Sequence, residues 1–345
     1  MMLDLATRTL FAEFQEGVYA RAALERELSN VQTYVRKRVK GSVYWYRQRY
    51  EHGQYKQQYF GPSNPKNDIH VEKERKELRA RKRELRGMMK QELRLVSMLR
   101  RGGLPVIDKR LATVLASVSA SGLLDEGGML VGTLAYAAYV GMLGVILEKA
   151  SLRTQDIDVV RDCSVQIALG ESRELKKTLA GSGRTFRAVP SLDAKTLSSS
   201  LVSSDGIRID LLAVQKGKPR GVVPVKGLRD MGALQLPFLD FLMETSIVSI
   251  LLGPSGGIPV RVPDPSRFAV HKLIVAARRS VSESGKRKKD LAQVEQLLKV
   301  LADERPHELK AAFRKASRRG KKWAKYLKDS TAALPDDVQS LIKSL

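Results

Sequence analysis

Two aspartates separated by one residue, set at the start of an apolar stretch, constrain this chain more than any other feature. In LRTQDIDVV, Asp156 and Asp158 precede a β-branched run. In a strand, a period of two puts both carboxylates on one face and Ile157 and Val159 on the other. Paired carboxylates repel unless a cation stands between them, and an all-oxygen pair suits Mg²⁺ or Mn²⁺. A bare exposed strand end would carry the same DxD. A third acid, Asp210, interrupts the strand-like DGIRIDLLAV just after a turn at Asp205-Gly206. A carboxylate in a buried strand needs a partner. If the two strands are neighbours, Asp156, Asp158 and Asp210 form the acid set that two-metal phosphoryl transfer requires.

A possible phosphate site lies upstream, in MLVGTLAYAAYVGMLG, where an apolar strand ends at Gly132 and Thr133 opens a helix. A helix start presents free N–H groups, and glycine lets a phosphate approach the backbone. Simple threonine capping gives the same pattern. The run from Met129 to Leu147 is apolar, but its glycines and tyrosines favour a buried helix over a membrane span.

Around this core the texture changes twice. Apolar spacing from Leu3 to about Lys40 predicts two helices broken near Gly17. SVYWYRQRYEHGQYKQQYFGPSNP reads as an aromatic β-hairpin divided at His52-Gly53, and Asp68 to Arg101 as one long solvated helix. Gly102-Gly103 marks a boundary. Expected are three units: residues 1–103 with helices, the hairpin and the basic helix; 104–265 with mixed strands and helices, including strands at Met129 to Val131, Ile157 to Val160, Phe186 to Val189 and IRIDLLAV and a helix from Thr133 to Lys149; and 266–345, helical. The fold class is α+β.

The chain carries 61 Lys and Arg against 37 Asp and Glu, a net charge of +24 over 345 residues. A polyanionic partner, RNA or another, accounts for such a charge; a solvated basic surface is the alternative. Arg47, Arg49 and Lys56 share the hairpin with Tyr44, Tyr46, Tyr55 and Tyr59, and basic residues interleaved with aromatics can clamp phosphates and stack bases. The hairpin aromatics could equally pack on neighbouring helices. Arg79, Arg81 and Lys82 of the long helix are further phosphate candidates. Cys163 is the only cysteine, which favours a reducing setting, and its neighbours suggest burial at a strand end. The first residues do not read as a signal peptide, so a cytoplasmic protein with no membrane partner is expected.

Gly-Thr at a helix start, DxD on a strand and a third Asp on a later strand together resemble the DNA polymerase β-like nucleotidyltransferase superfamily. Within it, YWYRQRYEHGQYKQQYFGP, GTLAYAAYVG, RTQDIDVV, IRIDLLAV, LPFLDFLM and PDPSRFAVHKLIVAARR followed by KRKKDLAQVEQLL look like bacterial nucleotidyltransferase-like proteins with an aromatic N-terminal hairpin and a closing helical region. The resemblance implies a nucleotidyltransferase-type mixed sheet, preceded by a helical and hairpin region and followed by a helical domain. It implies that Gly132 and Thr133 bind nucleotide phosphates and that Asp156, Asp158 and Asp210 ligate Mg²⁺. Lys272 resembles the helix lysine directed at the triphosphate, and Arg153 is placed to reach a phosphate or an acid. Asp290, at the start of the next helix, would cap it and pair with a lysine. Thr133 stands where Ser is usual, and the interval from Gly132 to Asp156 is longer than in minimal members. The implied reaction moves a nucleoside monophosphate from an NTP such as ATP to a hydroxyl. An acceptor on RNA, on a protein or on a small molecule fits, as does a catalytically idle nucleic-acid-binding module.

Overall fold

The computed structural model describes residues 2–29, 31–51, 54–147, 154–162, 174–191 and 196–345. Arg153, Cys163 and the His52-Gly53 turn lie outside them.

The chain opens with α1 (Leu5–Ser29), which runs unbroken through Gly17. Glycine costs a helix about 1 kcal/mol relative to alanine, but Phe11, Phe14 and Val18 bury one stripe of α1, and tertiary packing overrides the local cost. The expected second helix is instead β1 (Thr33–Val39), the edge of an antiparallel sheet with β2 (Ser42–Glu51) and β3 (Gln54–Pro62). Thr33, Tyr34, Val35 and Val39 are residues that strands favour, and pairing with β2 along all seven positions holds the segment extended. Helix α2 (Pro65–Arg101) follows, with Asn64 capping it through the Asn67 N–H at 2.9 Å and Pro65 in its first turn.

A buried ion pair pins these N-terminal helices to the rest. Arg21 of α1 meets Glu92 of α2 at 2.5 Å and donates to the Gly257 carbonyl at 2.7 Å, while the Gly257 N–H donates to Glu92 at 3.0 Å. Gly257 belongs to β12 (Gly256–Pro263), which forms a hairpin with β11 (Ser246–Gly253). Helix α3 (Lys109–Ala120), capped by Asp108, packs on the same hairpin.

The central sheet is mixed. β4 (Met129–Val131) lies antiparallel to β5 (Asp156–Arg161), and β5 lies parallel to β8 (Arg208–Val214). The far edge of β8 is shared by β7 (Ser200–Ser203), antiparallel at its start, and β10 (Gly232–Leu236), parallel at its end; β6 (Phe186–Ala188) and β9 (Val222–Pro224) complete the sheet. Helix α4 (Gly132–Leu143) leaves β4 directly and is buried from Leu134 to Val140. Phe11 of α1 lies over Gly141, where a β-carbon would stand 2.3 Å from the ring. The expected extension of α4 to Lys149 fails because Gly144, at φ +64°, terminates the helix after Leu143. No helix of the described residues is long and apolar enough to cross a membrane.

Short helices α5 (Leu175–Leu179) and α6 (Leu239–Met243) flank the sheet. After Asp264, which caps it at 2.9 and 3.1 Å, α7 (Pro265–Arg278) runs into a helical layer of α8 (Ser284–Glu304), α9 (Pro306–Ser317), α10 (Lys321–Thr331) and α11 (Asp336–Ser344). Tyr139 of α4 joins this layer to the sheet, stacking edge-on to Phe268 at 5.3 Å and donating to the Pro263 carbonyl at 2.9 Å.

Candidate active site

The site begins with strand register. Ile157 and Val159 are buried, which turns Asp156 and Asp158 to the opposite face of β5. Pairing with β8 sets Asp158 beside Asp210 and Asp156 beside Arg208, while β4 brings Val131 opposite Asp158. The two DxD acids and Asp210, 52 residues downstream of Asp158, therefore line one strip across two parallel strands.

The chain leaves β4 at Gly132 with φ +67°, and a β-carbon there would stand 2.4 Å from Asp158 Oδ2. Only glycine satisfies both the left-handed backbone and that approach. α4 then starts with no side-chain cap, so its first N–H groups have no side-chain acceptor. Thr133, half-buried, opens that first turn.

The electrostatics of the strip are unbalanced. Burial, then Asp210, then Asp156 push the Asp158 carboxyl up to about 6, against the opposing fields of Lys272 and Arg208. Asp210 is held differently: Arg208 Nε donates to both its oxygens at 2.9 and 3.0 Å, the Ser200 hydroxyl donates to it from β7, and Arg208 Nη2 reaches Ser200 Oγ at 3.0 Å. Among the described residues no three His, Cys, Asp or Glu side chains are gathered closely enough to enclose a metal ion as they stand. The donor set is nonetheless all carboxylate, and Asp158 is raised first by burial and then by the carboxylates of Asp210 and Asp156 beside it. Hard divalent cations fit those oxygens.

On the helical side, Lys272 of α7 pairs with Asp290 at 2.5 Å, and Arg279 reaches the other Asp290 oxygen at 3.2 Å. Asp290 is buried in the second turn of α8 and caps nothing, contrary to the expected helix-start role; its pairing with a lysine is as expected. Lys289 also belongs to this corner: burial and then Lys272 lower its pKa, opposed by Asp290 and Asp156. The neighbouring His271 is buried, and burial followed by Lys272 lowers it to about 4, so it is neutral.

Sequence reading missed Arg208, Ser200 and Lys289. Arg208 was legible, since it sits two residues before Asp210 on the same strand face. Ser200 was not, because only the pairing of β7 with β8 brings it there.

The basic candidates sit on the N-terminal sheet and α2. Arg47 stacks on Phe60 at 4.9 Å, Arg49 lies opposite Lys56 in the β2–β3 register, Arg79 meets Glu72 at 3.4 Å, and Arg81 meets Glu27 at 2.8 Å. Lys82 lines a cleft with Gln32, Tyr34, Arg75 and Arg79 between β1 and α2.

No curated protein matches the sequence. A family model described as Nucleotidyltransferase matches residues 109–318, from the start of α3 past the end of α9. With well over half of its 345 residues in that match, and with an acid strip set beneath a glycine-led helix start, the chain belongs to this nucleotidyltransferase family.

Proposed function

We propose that the protein is a metal-dependent transferase of the DNA polymerase β-like type, moving a nucleoside monophosphate from an NTP to an acceptor hydroxyl and releasing pyrophosphate. The observation that carries this reading is the register of Asp158 beside Asp210, with Gly132 packed onto Asp158 at the start of α4. Asp156, Asp158 and Asp210 would hold Mg²⁺ or Mn²⁺, which when bound offsets charge on the phosphate oxygens. The α4 N–H groups and the Thr133 hydroxyl bind the triphosphate at the glycine, where the backbone stays accessible. Lys272 and Lys289 contribute positive field on the α7–α8 side, and Arg153 is a further phosphate contact. The acceptor oxygen attacks the α-phosphorus, the bond from that phosphorus to the pyrophosphate oxygen breaks, and Asp210 takes the acceptor proton. For this, Asp210 exchanges its bonds to Arg208 and Ser200 for the acceptor.

The acceptor is proposed to be RNA, on the strength of the +24 charge and the basic Arg49, Lys56, Arg79, Arg81 and Lys82. The engagement of Asp210 by Arg208 favours a second reading, a catalytically idle nucleic-acid-binding module. Incubation with each labelled NTP, Mg²⁺ or Mn²⁺, and RNA or protein extract separates them. The transferase reading expects a labelled product that Asp156→Ala with Asp158→Ala abolishes. Persistent labelling in that double variant would sink it, and RNA binding without turnover of any NTP supports the idle module.

A further inference from the structure

The three strands from Thr33 to Pro62 hold six of the chain's ten tyrosines and seven Lys or Arg against one acid. Register sorts these residues onto two faces that do different things. One face packs on α2. Trp45 is buried there between the guanidinium groups of Arg36 and Arg75, at 4.6 and 4.9 Å, and donates to Asp68 at 2.6 Å. Phe60 stacks on His70 at 5.4 Å, with Arg47 over its ring.

The other face carries Lys37, Tyr44, Tyr46 and Tyr59. Lys37 lies opposite Tyr44, and Tyr46 lies opposite Tyr59. The Tyr59 ring is 5.9 Å from that of Tyr44 and 5.8 Å from that of Tyr46, and the Lys37 ammonium stands 5.1 Å over Tyr46. The same register continues this face to Tyr55. Tyr59 and Tyr55 are 55% and 64% exposed. The aromatic side chains on the α2 side are Trp45, Phe60 and Tyr34, and on the opposite face Tyr59 and Tyr55 are exposed while Tyr44 and Tyr46 are half-buried.

We infer that this outer face is a docking surface for single-stranded nucleic acid. Bases stack on flat aromatic faces whatever their identity, and phosphates answer to lysine and to the surrounding positive field. A duplex keeps its base faces inside the stack and offers this surface only its phosphates. An acidic protein partner would answer to the charge but leave the tyrosine row unused. The faces also divide the hairpin's basic residues: Lys37 shares the tyrosine face, whereas Arg47 is committed to Phe60 on the α2 side. Docking of a strand stands independently of catalysis; that the docked strand supplies the acceptor hydroxyl rests on the transferase reading.

Fluorescence anisotropy with labelled 12-mers of uridine and of thymidine, beside a duplex of equal length, tests the inference on the full chain. Single strands are expected to bind more tightly than the duplex. Tyr55→Ala with Tyr59→Ala, both at exposed positions, is expected to weaken single-strand binding by roughly ten-fold or more, with Tyr→Phe at both restoring it. Lys37→Ala should make the log–log salt slope shallower by about 0.7. Arg47→Ala should change affinity less than the tyrosine pair. Equal affinity for duplex and single strands would overturn the inference, as would a tyrosine double variant that keeps its circular dichroism and binds like wild type. Asp156→Ala with Asp158→Ala should still bind the strand while losing labelling, and strand binding by the wild type without labelling from any NTP isolates a failure of the transferase reading.

Discussion

Two clusters of acid and base in this molecule obey opposite rules. At Glu92 both carboxylate oxygens are taken, one by Arg21 and one by the Gly257 N–H, while Arg21 spends its other nitrogens on Glu25 and the Gly257 carbonyl. At the β5–β8 strip, Asp158 stands beside Asp210 and Asp156 with its carboxyl pushed up to about 6, and Arg208 is committed to Asp210. The first cluster is saturated and joins α1, α2 and the β11–β12 hairpin. The second sets acid beside acid on the sheet of a nucleotidyltransferase family member. Satisfied burial marks a structural tie, whereas a buried acid raised by burial and by neighbouring acids at a register-locked position is where the proposed site lies.

Asp158→Asn should lower nucleotidyl transfer by about 10³-fold or more, which is ~4 kcal/mol in the barrier. Its stability should move the other way. A carboxyl whose folded pKa lies above its ordinary value opposes folding when ionised, and that opposition fades as pH falls through about 6. The variant should therefore melt higher than wild type at pH 7.5 and lose that advantage near pH 4. A lower melting temperature at pH 7.5 would place Asp158 among the structural ties.

Glu92→Ala should cost about 2–4 kcal/mol, because it leaves Arg21 Nε and the buried Gly257 N–H without an acceptor while Arg21 keeps Glu25 and the Gly257 carbonyl. Denaturant unfolding measures it. Arg21→Met combined with Glu92→Leu should recover much of the loss, since a hydrophobic pair of similar volume needs no counter-charge.

His271 sharpens the contrast by satisfying burial through neutrality. Its pKa of about 4 lies below the usual value, so the unfolded chain takes up the proton first and stability falls as pH drops from about 6.5 towards 4. The loss should be on the order of 2–3 kcal/mol, and His271→Gln should flatten this part of the profile. An unchanged pH profile in the variant would contradict it.

Gly132→Ala should have the smallest effect on stability, about 1–2 kcal/mol for the left-handed backbone, with a larger effect on turnover because the new methyl meets Asp158. Thermal melts and initial rates on the same preparation separate the two.

Much of this arrangement was legible beforehand because it depends on local periodicity. Alternation set Asp156 and Asp158 on one face, the spacing of α2 and α7 was helical, and the Gly132-Thr133 step was visible as the end of a strand and the start of a helix. The misread segments share a cause. Gly17 was taken as a break because its local cost was known and the burial of Phe11, Phe14 and Val18 was not. β1 was assigned to a helix because nothing local announced that β2 would pair with it. The aromatic hairpin is legible, but not that Tyr59 lies opposite Tyr46; that follows from a register which includes an irregularity between Trp45 and Tyr46.

The sequence by itself determined which acids could share a face, where a phosphate could approach a backbone, and that the chain carries a large positive charge. Each is a property of neighbours along the chain, governed by side-chain period and residue chemistry. Only the tertiary structure decided that Asp158 lies beside Asp210, that Ser200 reaches the third acid, that Lys272 meets Asp290, and that the Tyr59 ring closes on Tyr44 and Tyr46. These are contacts between residues distant in sequence, brought together by strand pairing and core burial, and no local pattern encodes which strand pairs with which.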